Sequence, residues 1–437
     1  MRVLGIGETC DLGDMYWRLG RAGHEVRVFI EDSRSHDVFG GMVHRVDDWR
    51  AELDWVRAGG EDALVLFESA AKGDWQDALR RDGFRVVGGS GYGDRLEDDR
   101  EFGQAALRDA GLRTARSHRF DSFEAAIGFL RSRPGRFVFK QNGANALRTR
   151  NYIGQLDSAA DMVAFLSLQQ AHLKTTPEPV DFVLMEYVQG VEVGVGAYFD
   201  GRKFLSPALL DWEHKRFFPG ELGELTGEMG TIVTYRGAEA LFERTLACMA
   251  EPLRAAGHCG YINLNLIANA EGLWPLEFTS RFGYPGFAIC EALHAEPWDA
   301  ILRKMQDGTA RTIETRPGYA CGVVLTVPPF PYSYGYEEIS KGAPICFRET
   351  ATPAQKTAVH FGEVARIEGH LVTSGRTGYV GVATGAGPDI AAAQEAAYGV
   401  ARQVVVPNIR FREDIGNRVA GSELALLRAW GHVGDTR

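Results

Sequence analysis

Long apolar runs are missing from the sequence, and none reaches the roughly 20 residues that span a bilayer as a helix, which excludes a helical membrane protein. The chain starts on a short strand-like run, MRVLGIGETC, rather than a charged leader with a long apolar segment, so a cytoplasmic protein is expected. Cysteine is scarce. Six thiols (Cys10, Cys248, Cys259, Cys290, Cys321, Cys346) lie far apart, with no Cys-x-x-Cys pair and no histidines at zinc spacing, so neither a disulfide framework nor structural zinc is expected. There is also no basic excess: the net charge of −10 and the lack of a basic stripe argue against a nucleic-acid polymer as partner. Internal repeats and low-complexity tracts are absent. What remains is an ordinary globular composition, 45% apolar and 24% charged, in 437 residues, too many for one core and suited to roughly two to four packed domains.

The order of patterns is that of an α/β protein. Residues 1–95 alternate strand and helix signals (RVLGIG, a helical stretch from Asp14 to Ala22, HEVRVFIED, DALVLFES, FRVVGGS), the signature of a βαβ domain with a parallel sheet. Arg95 to Ala110 reads as helix and opens a second unit, 96–310, whose runs VDFVLMEYV, VEVGVGAYFDG and INLNLIANAEGLWPLEF carry the turn punctuation of antiparallel hairpins. A smaller α/β domain, 311–420, holds GYACGVVLTV, AVHFGEVARIEGHLVTSG, GYVGVATG and an alanine-rich helix from Asp389 to Val406; residues 421–437 form a terminal helix and a frayed tail.

Chemistry concentrates in Gly260 to Gly286. Asn263, Asn265, Glu277 and Thr279 are polar residues set in apolar strands, and residues two apart share a face. A hairpin joining these strands would set Asn265 opposite the Glu277 region, converging hard oxygen ligands of the kind magnesium takes when it also bridges nucleotide phosphates. Satisfied polar groups beside turns would give the same pattern, but an acidic residue inside LWPLEF, followed by Arg281, favours a site. Lys140 ends the apolar strand RFVFK, where packing alone explains it poorly. In WEHKRFFPGELGELTGEMG, the cluster His214, Lys215, Arg216 precedes Thr226, Gly227 and Gly230, a seat for anionic oxygens.

The strand pair ending in LEFTSRFGYP resembles the metal-binding end of ATP-grasp enzymes, in particular the glycinamide ribonucleotide synthetases (phosphoribosylamine–glycine ligases). RVVGGS, LEDDREFGQAAL, GLRTA, FVFKQNG, FVLMEYVQGVE, DWEHKRFFPGELGELTGEMG, HLVTSG and FREDIG follow in the family's order, to about residue 418. The resemblance implies a pre-ATP-grasp N-terminal domain, a two-lobed ATP-grasp module closing on the nucleotide, and a C-terminal domain packed back on the first. It implies ATP and Mg2+ as cofactors, with Lys140 and Arg100 at the phosphates, Glu186, Tyr187 and Val188 at adenine, Glu192 at ribose, and Glu277, Asn265 and Thr279 at the metal. Lys140, Arg281, Lys215 and Arg216 would hold the transferring group and the acyl phosphate. The loop QNGANALRTR takes the place of the phosphate-covering loop, with only Gly143 inside it and Arg148 or Arg150 in reach.

Three departures bear on the substrate. The N-terminal GIGETCDLGD places Glu8 and Asp11 where the family has a basic, histidine-containing loop that helps bind phosphoribosylamine, and Gly5-Ile6-Gly7 lacks the third glycine of a dinucleotide fingerprint. Thr279 stands for a metal-binding asparagine, and Tyr284 and Gly286 for acidic residues. The expected activity is an ADP-forming carboxylate–amine ligase that works through an acyl phosphate on small molecules, joining glycine or a similar amino acid to an amine such as a nucleoside-like one, in a monomer or homodimer. Two alternatives remain: phosphoribosylamine–glycine ligase itself, and a non-catalytic nucleotide-binding relative.

Overall fold

The computed structural model describes residues 1–141, 151–173 and 180–434. Five short strands, β1 (Arg2–Gly7), β2 (Glu25–Ile30), β3 (His44–Val46), β4 (Ala63–Phe67) and β5 (Val86–Val87), make a parallel sheet in the order β3-β2-β1-β4-β5. β4 is ALVLF, apolar throughout, because helices cover both faces of a parallel sheet. The expected first helix runs Gly13–Arg21. The helical reading of Arg95 to Ala110 is two helices, Gly91–Asp98 and Arg100–Asp109, broken at Asp99, whose carboxylate caps the second by accepting from the Phe102 N–H.

β6 (Ser117–Phe120), β7 (Phe137–Gln141), β8 (Tyr152–Ile153) and β9 (Phe182–Glu186) form a small antiparallel sheet in the order β6-β9-β7-β8. It is backed by helices Phe123–Ser132 and Ala160–Leu173 around a core of Phe137, Phe139, Phe182 and Leu184. This is the small lobe; it carries Lys140 at the end of β7.

The large lobe is built on β10 (Val191–Asp200), β11 (Leu209–Glu213), the two-stranded ribbon of β12 (Arg216–Phe218) and β13 (Leu222–Leu225), β14 (Gly230–Thr234), β15 (Cys259–Asn269) and β16 (Gly272–Thr279). The β15–β16 hairpin turns at Asn269, whose Oδ1 accepts from the Glu271 and Gly272 N–H groups. Its register sets Asn265 opposite Glu277 and Asn263 opposite Thr279, the pairing expected from sequence, with an irregularity between Asn265 and Leu266.

The third unit does not stand apart. β17 (Tyr319–Thr326) pairs with β14, so a single eight-stranded sheet, ordered β16-β15-β10-β11-β14-β17 and ending in strands Tyr379–Gly387 and Val359–Phe361, runs across the expected boundary near 310. Helix Ile390–Ala401 covers this extension. Among the described residues no helix is long and apolar enough to cross a membrane.

Candidate active site

One face of the large-lobe sheet is polar. The alternation of β15 and β16 turns Asn263, Asn265, Glu277 and Thr279 to that face, and β10 and β11 add Glu192, Asp211 and Glu213. Helices Gly91–Asp98 and Arg100–Asp109 pack against β16 and bring Arg100 in from the side. Apart from Glu192, these residues line a cavity of about 230 Å³ that also takes in Lys215, Thr226, Glu228, Thr231, Arg281 and Tyr284.

Charge in this cavity is arranged around Glu277. Its Oε2 lies 3.4 Å from Lys140 Nζ and 4.0 Å from Arg100, and its Oε1 lies 3.8 Å from Lys215 Nζ. A strand, a helix and the segment between β11 and β12 thus direct three cations at one carboxylate. Burial holds the Lys140 ammonium below the usual lysine value, and the Arg100 and Lys215 charges add to this while Glu277 opposes it. Burial alone would also depress Lys215, but Glu192 at 2.8 Å, Glu213 at 3.1 Å and Glu277 outweigh it and hold the ammonium well above its usual value. Asn265 donates through Nδ2 to Glu192 at 3.1 Å and Glu213 at 3.4 Å, which commits its amino group to carboxylates.

Arg281 pairs with Glu97 at 3.3 Å, and that carboxylate also accepts from the Ser280 N–H; the Glu97 charge pushes the Arg281 guanidinium up. Asp11 in the N-terminal loop acts on Arg281 and on Tyr284 through space, so this loop faces the same end of the cavity. Beneath the loop, buried Glu68 accepts from the Leu12 N–H at 2.8 Å, and burial with the Asp11 charge pushes its carboxyl up to about 8. Tyr284 stacks near Tyr379, with ring centroids 4.9 Å apart, and so belongs to an aromatic wall shared with the third unit.

The HKR cluster is divided where the chain leaves β11 and enters β12. Lys215 joins the carboxylates, whereas Arg216, the first residue of β12, donates to the Gly223 carbonyl at 2.7 Å and lines a separate hollow with Tyr152 and Phe218. His214 is no cation: it is 1% exposed, its Nε2 accepts from the Gly416 N–H, and burial, followed by the charges of Arg418 and Arg412, pushes it down to about 3. Glu186, Tyr187 and Val188 line another hollow, of about 940 Å³, next to Trp274. The Glu186 and Tyr187 N–H groups donate to the Arg116 and Arg136 carbonyls, and the Glu186 carboxylate faces His118 at 3.8 Å. Gly143, Arg148 and Arg150 lie outside the described residues.

Sequence reasoning passed over Asp211, Glu213 and Glu228. A signal existed for the first two: LLDWE alternates carboxylates with Leu210 and Trp212, the mark of a half-polar strand. Burial and then Glu213 push the Asp211 carboxyl up to about 8, and push Glu228 well above the carboxylate range.

Among the described residues, no three histidine, cysteine or acidic side chains are grouped to hold a metal ion by themselves. A single carboxylate beside an amide oxygen is nevertheless the donor set magnesium uses when phosphate oxygens and water complete its octahedron, and the Glu277–Asn265 pair is of that kind.

Residues 98–287 match the phosphoribosylglycinamide synthetase ATP-grasp (A) domain. The phosphoribosylamine–glycine ligase of Neisseria meningitidis is 24% identical over 96% of this chain and 99% of its own length, and that of Mycobacterium tuberculosis is 26% identical over 98% and 100%. The crystal structure of phosphoribosylamine–glycine ligase from Thermotoga maritima superposes with a TM-score of 0.70 at 22% identity, covering 95% of this chain and 100% of that one. The chain resembles the phosphoribosylamine–glycine ligases from end to end and is an ATP-grasp carbon–nitrogen ligase of the ADP-forming kind.

Proposed function

We propose that the chain activates the carboxylate of glycine or a similar small amino acid as an acyl phosphate and passes the acyl group to an amine. The observation that carries this reading is the convergence of Lys140, Arg100 and Lys215 on Glu277: a cationic ring around one carboxylate suits a phosphoryl group in transit between two anions. A substrate carboxylate oxygen forms a bond to the γ-phosphorus of ATP as the bond to the bridging oxygen breaks, and ADP leaves. The amine nitrogen then bonds to the acyl carbon, the carbon–phosphate oxygen bond breaks, phosphate leaves, and the amine proton passes to solvent. Glu277, with Asn265 and Thr279 beside it, would hold magnesium, which supplies charge neutralisation at the phosphates. Lys140 and Arg100 hold the phosphate oxygens, Arg281 the acyl phosphate, Glu192 the ribose hydroxyls, and the strand edge at Glu186 to Val188 the adenine. Positioning and fixed charge do the work, and no side chain becomes covalently bound.

For the acceptor, Glu8 and Asp11 form an acidic N-terminal lip, which would repel a phosphate and favours a neutral or cationic amine. A second reading, with phosphoribosylamine as acceptor, is favoured by the relatives matched along the whole chain. ADP release dependent on both an amino acid and an amine, with the amide identified by mass spectrometry, tests the first reading. Glycinamide ribonucleotide made from glycine and fresh phosphoribosylamine at kcat/KM of about 10⁴ M⁻¹s⁻¹ or more would establish the second.

A further inference from the structure

The inner end of the cavity has a trough floor. β10 runs between β11 and β15, and its cavity-facing positions after Glu192 are Gly194 and Gly196. A Cβ at Gly194 would come within 2.1 Å of Asp211 Oδ1, and one at Gly196 within 2.1 Å of the Tyr261 hydroxyl and 3.0 Å of Asn263 Nδ2. Without side chains on this strand, Asp211, Asn263 and Tyr261 can lie across it.

Asp211 is the unusual member. It is 5% exposed, its Oδ2 accepts from Asn263 Nδ2, and its Oδ1 is buried with no hydrogen-bond partner among the described residues. Leaving such an acceptor unpaired costs about 1–3 kcal/mol, more if it is charged. Glu228, 9% exposed and bonded by the Thr231 hydroxyl, faces the same cavity. Among the described residues, the Lys215 ammonium pairs with Glu192, Glu213 and Glu277 instead. The cavity therefore has a cationic end at Arg100 and Arg281, next to Lys140, and an acidic end at Asp211 and Glu228 that has no ion-pair partner among the described residues.

We propose that this acidic trough is the subsite for an ammonium group carried by the carboxylate substrate, so that the substrate class is an amino acid with its ammonium at the far end of the chain from the reacting carboxylate. This rests on the acyl-phosphate reading and puts a longer amino acid in place of glycine as its carboxylate substrate. Separation of the two ends sets the length. Three strand spacings of about 4.8 Å part the backbones of β16 and β11, and the Lys215 side chain, which touches both Glu213 and Glu277, shows how far side chains close that gap. Glycine, with both charged groups on one carbon, is too short to reach across strands; δ-aminovalerate and ornithine carry an ammonium four carbons from the carboxylate.

The test is acyl hydroxamate formation with ATP, magnesium and hydroxylamine as the amine, comparing δ-aminovalerate with valerate, ornithine with norvaline, and glycine with acetate. The ammonium-bearing longer acids are expected to react at least tenfold faster than their uncharged partners and than glycine. Asp211→Asn and Glu228→Gln should each lower the ratio of kcat/KM for δ-aminovalerate to that for valerate at least tenfold; two variants guard against one failing to fold. Equal rates for δ-aminovalerate and valerate, glycine as the best substrate, or an undiminished preference in both variants overturns the inference and leaves the acyl-phosphate reading standing. Hydroxamate from none of the acids overturns that reading and the inference with it.

Discussion

At the residue scale, Glu277 and Lys140 carry opposite predictions. Glu277→Gln keeps the shape but removes the charge that three cations share, and ADP formation should fall by about 10²-fold or more, the usual cost of one preorganised electrostatic contact. Unchanged ADP release from a folded variant would remove Glu277 from the phosphoryl site. Lys140→Ala should weaken ATP binding ten- to a hundredfold in calorimetry, the ~1.5–3 kcal/mol of a hydrogen bond to a charged group; an unaltered affinity would return Lys140 to a packing role. Asp211 makes a pH prediction. Its carboxyl rises from 3.8 to about 8 on folding, through burial and the Glu213 charge, with Lys215 and Asn263 opposing and Glu192 adding. The folded state thus holds a proton that the unfolded chain has lost, and this part of the stability, complete below about pH 4, drains away as pH rises toward 8. Asp211→Asn cannot lose that proton, so the melting temperature of the ligand-free variant should fall less between pH 6 and pH 8 than that of the wild type. Glu68, also raised to about 8, keeps a residual slope. Identical slopes would contradict the buried-acid assignment.

At the element scale, period-two alternation decides which residues meet. It was legible for β15 and β16, where Asn263, Asn265, Glu277 and Thr279 stand out against apolar neighbours, and the hairpin register followed from the Asn269–Gly272 turn. It was less legible after β11. His214, Lys215 and Arg216 read as one basic patch, yet their side chains diverge: one is buried against Gly416, one is held by carboxylates, and one is turned to solvent. No local pattern reports burial by a segment two hundred residues away, which is why the neutral state of His214 was invisible in the sequence. A paired measurement follows. Lys215→Met leaves Glu192, Glu213 and Glu277 facing one another and should cost about 3–5 kcal/mol, at the low end because Lys215 is partly exposed, together with most of the activity. Arg216→Ala removes an exposed contact worth about 0–1 kcal/mol and should reduce turnover at least tenfold less. Equal losses in the two variants would mean that the two side chains do not differ in role.

At the scale of the whole molecule, one sheet joins the large lobe to the third unit, and Tyr284 meets Tyr379 across that junction. The α/β class and the order of the units could be read from strand and helix periods together with the ordered segments of the family resemblance. The continuity of the sheet could not, because β14 and β17 pair across some ninety intervening residues, and long-range pairing leaves no trace in local composition. The site is assembled by the same kind of long-range contact, Lys140 from the small lobe meeting Glu277 from the large lobe. All of this serves one chemical claim, transfer of the γ-phosphoryl group to a carboxylate. The most direct test supplies the most reactive amino acid with heavy oxygen in its carboxylate, together with ATP, magnesium and hydroxylamine, and analyses the products by mass spectrometry. One labelled oxygen in each released phosphate, with ADP in equal amount, is the expected result. Unlabelled phosphate, or AMP and pyrophosphate in place of ADP, would contradict the account.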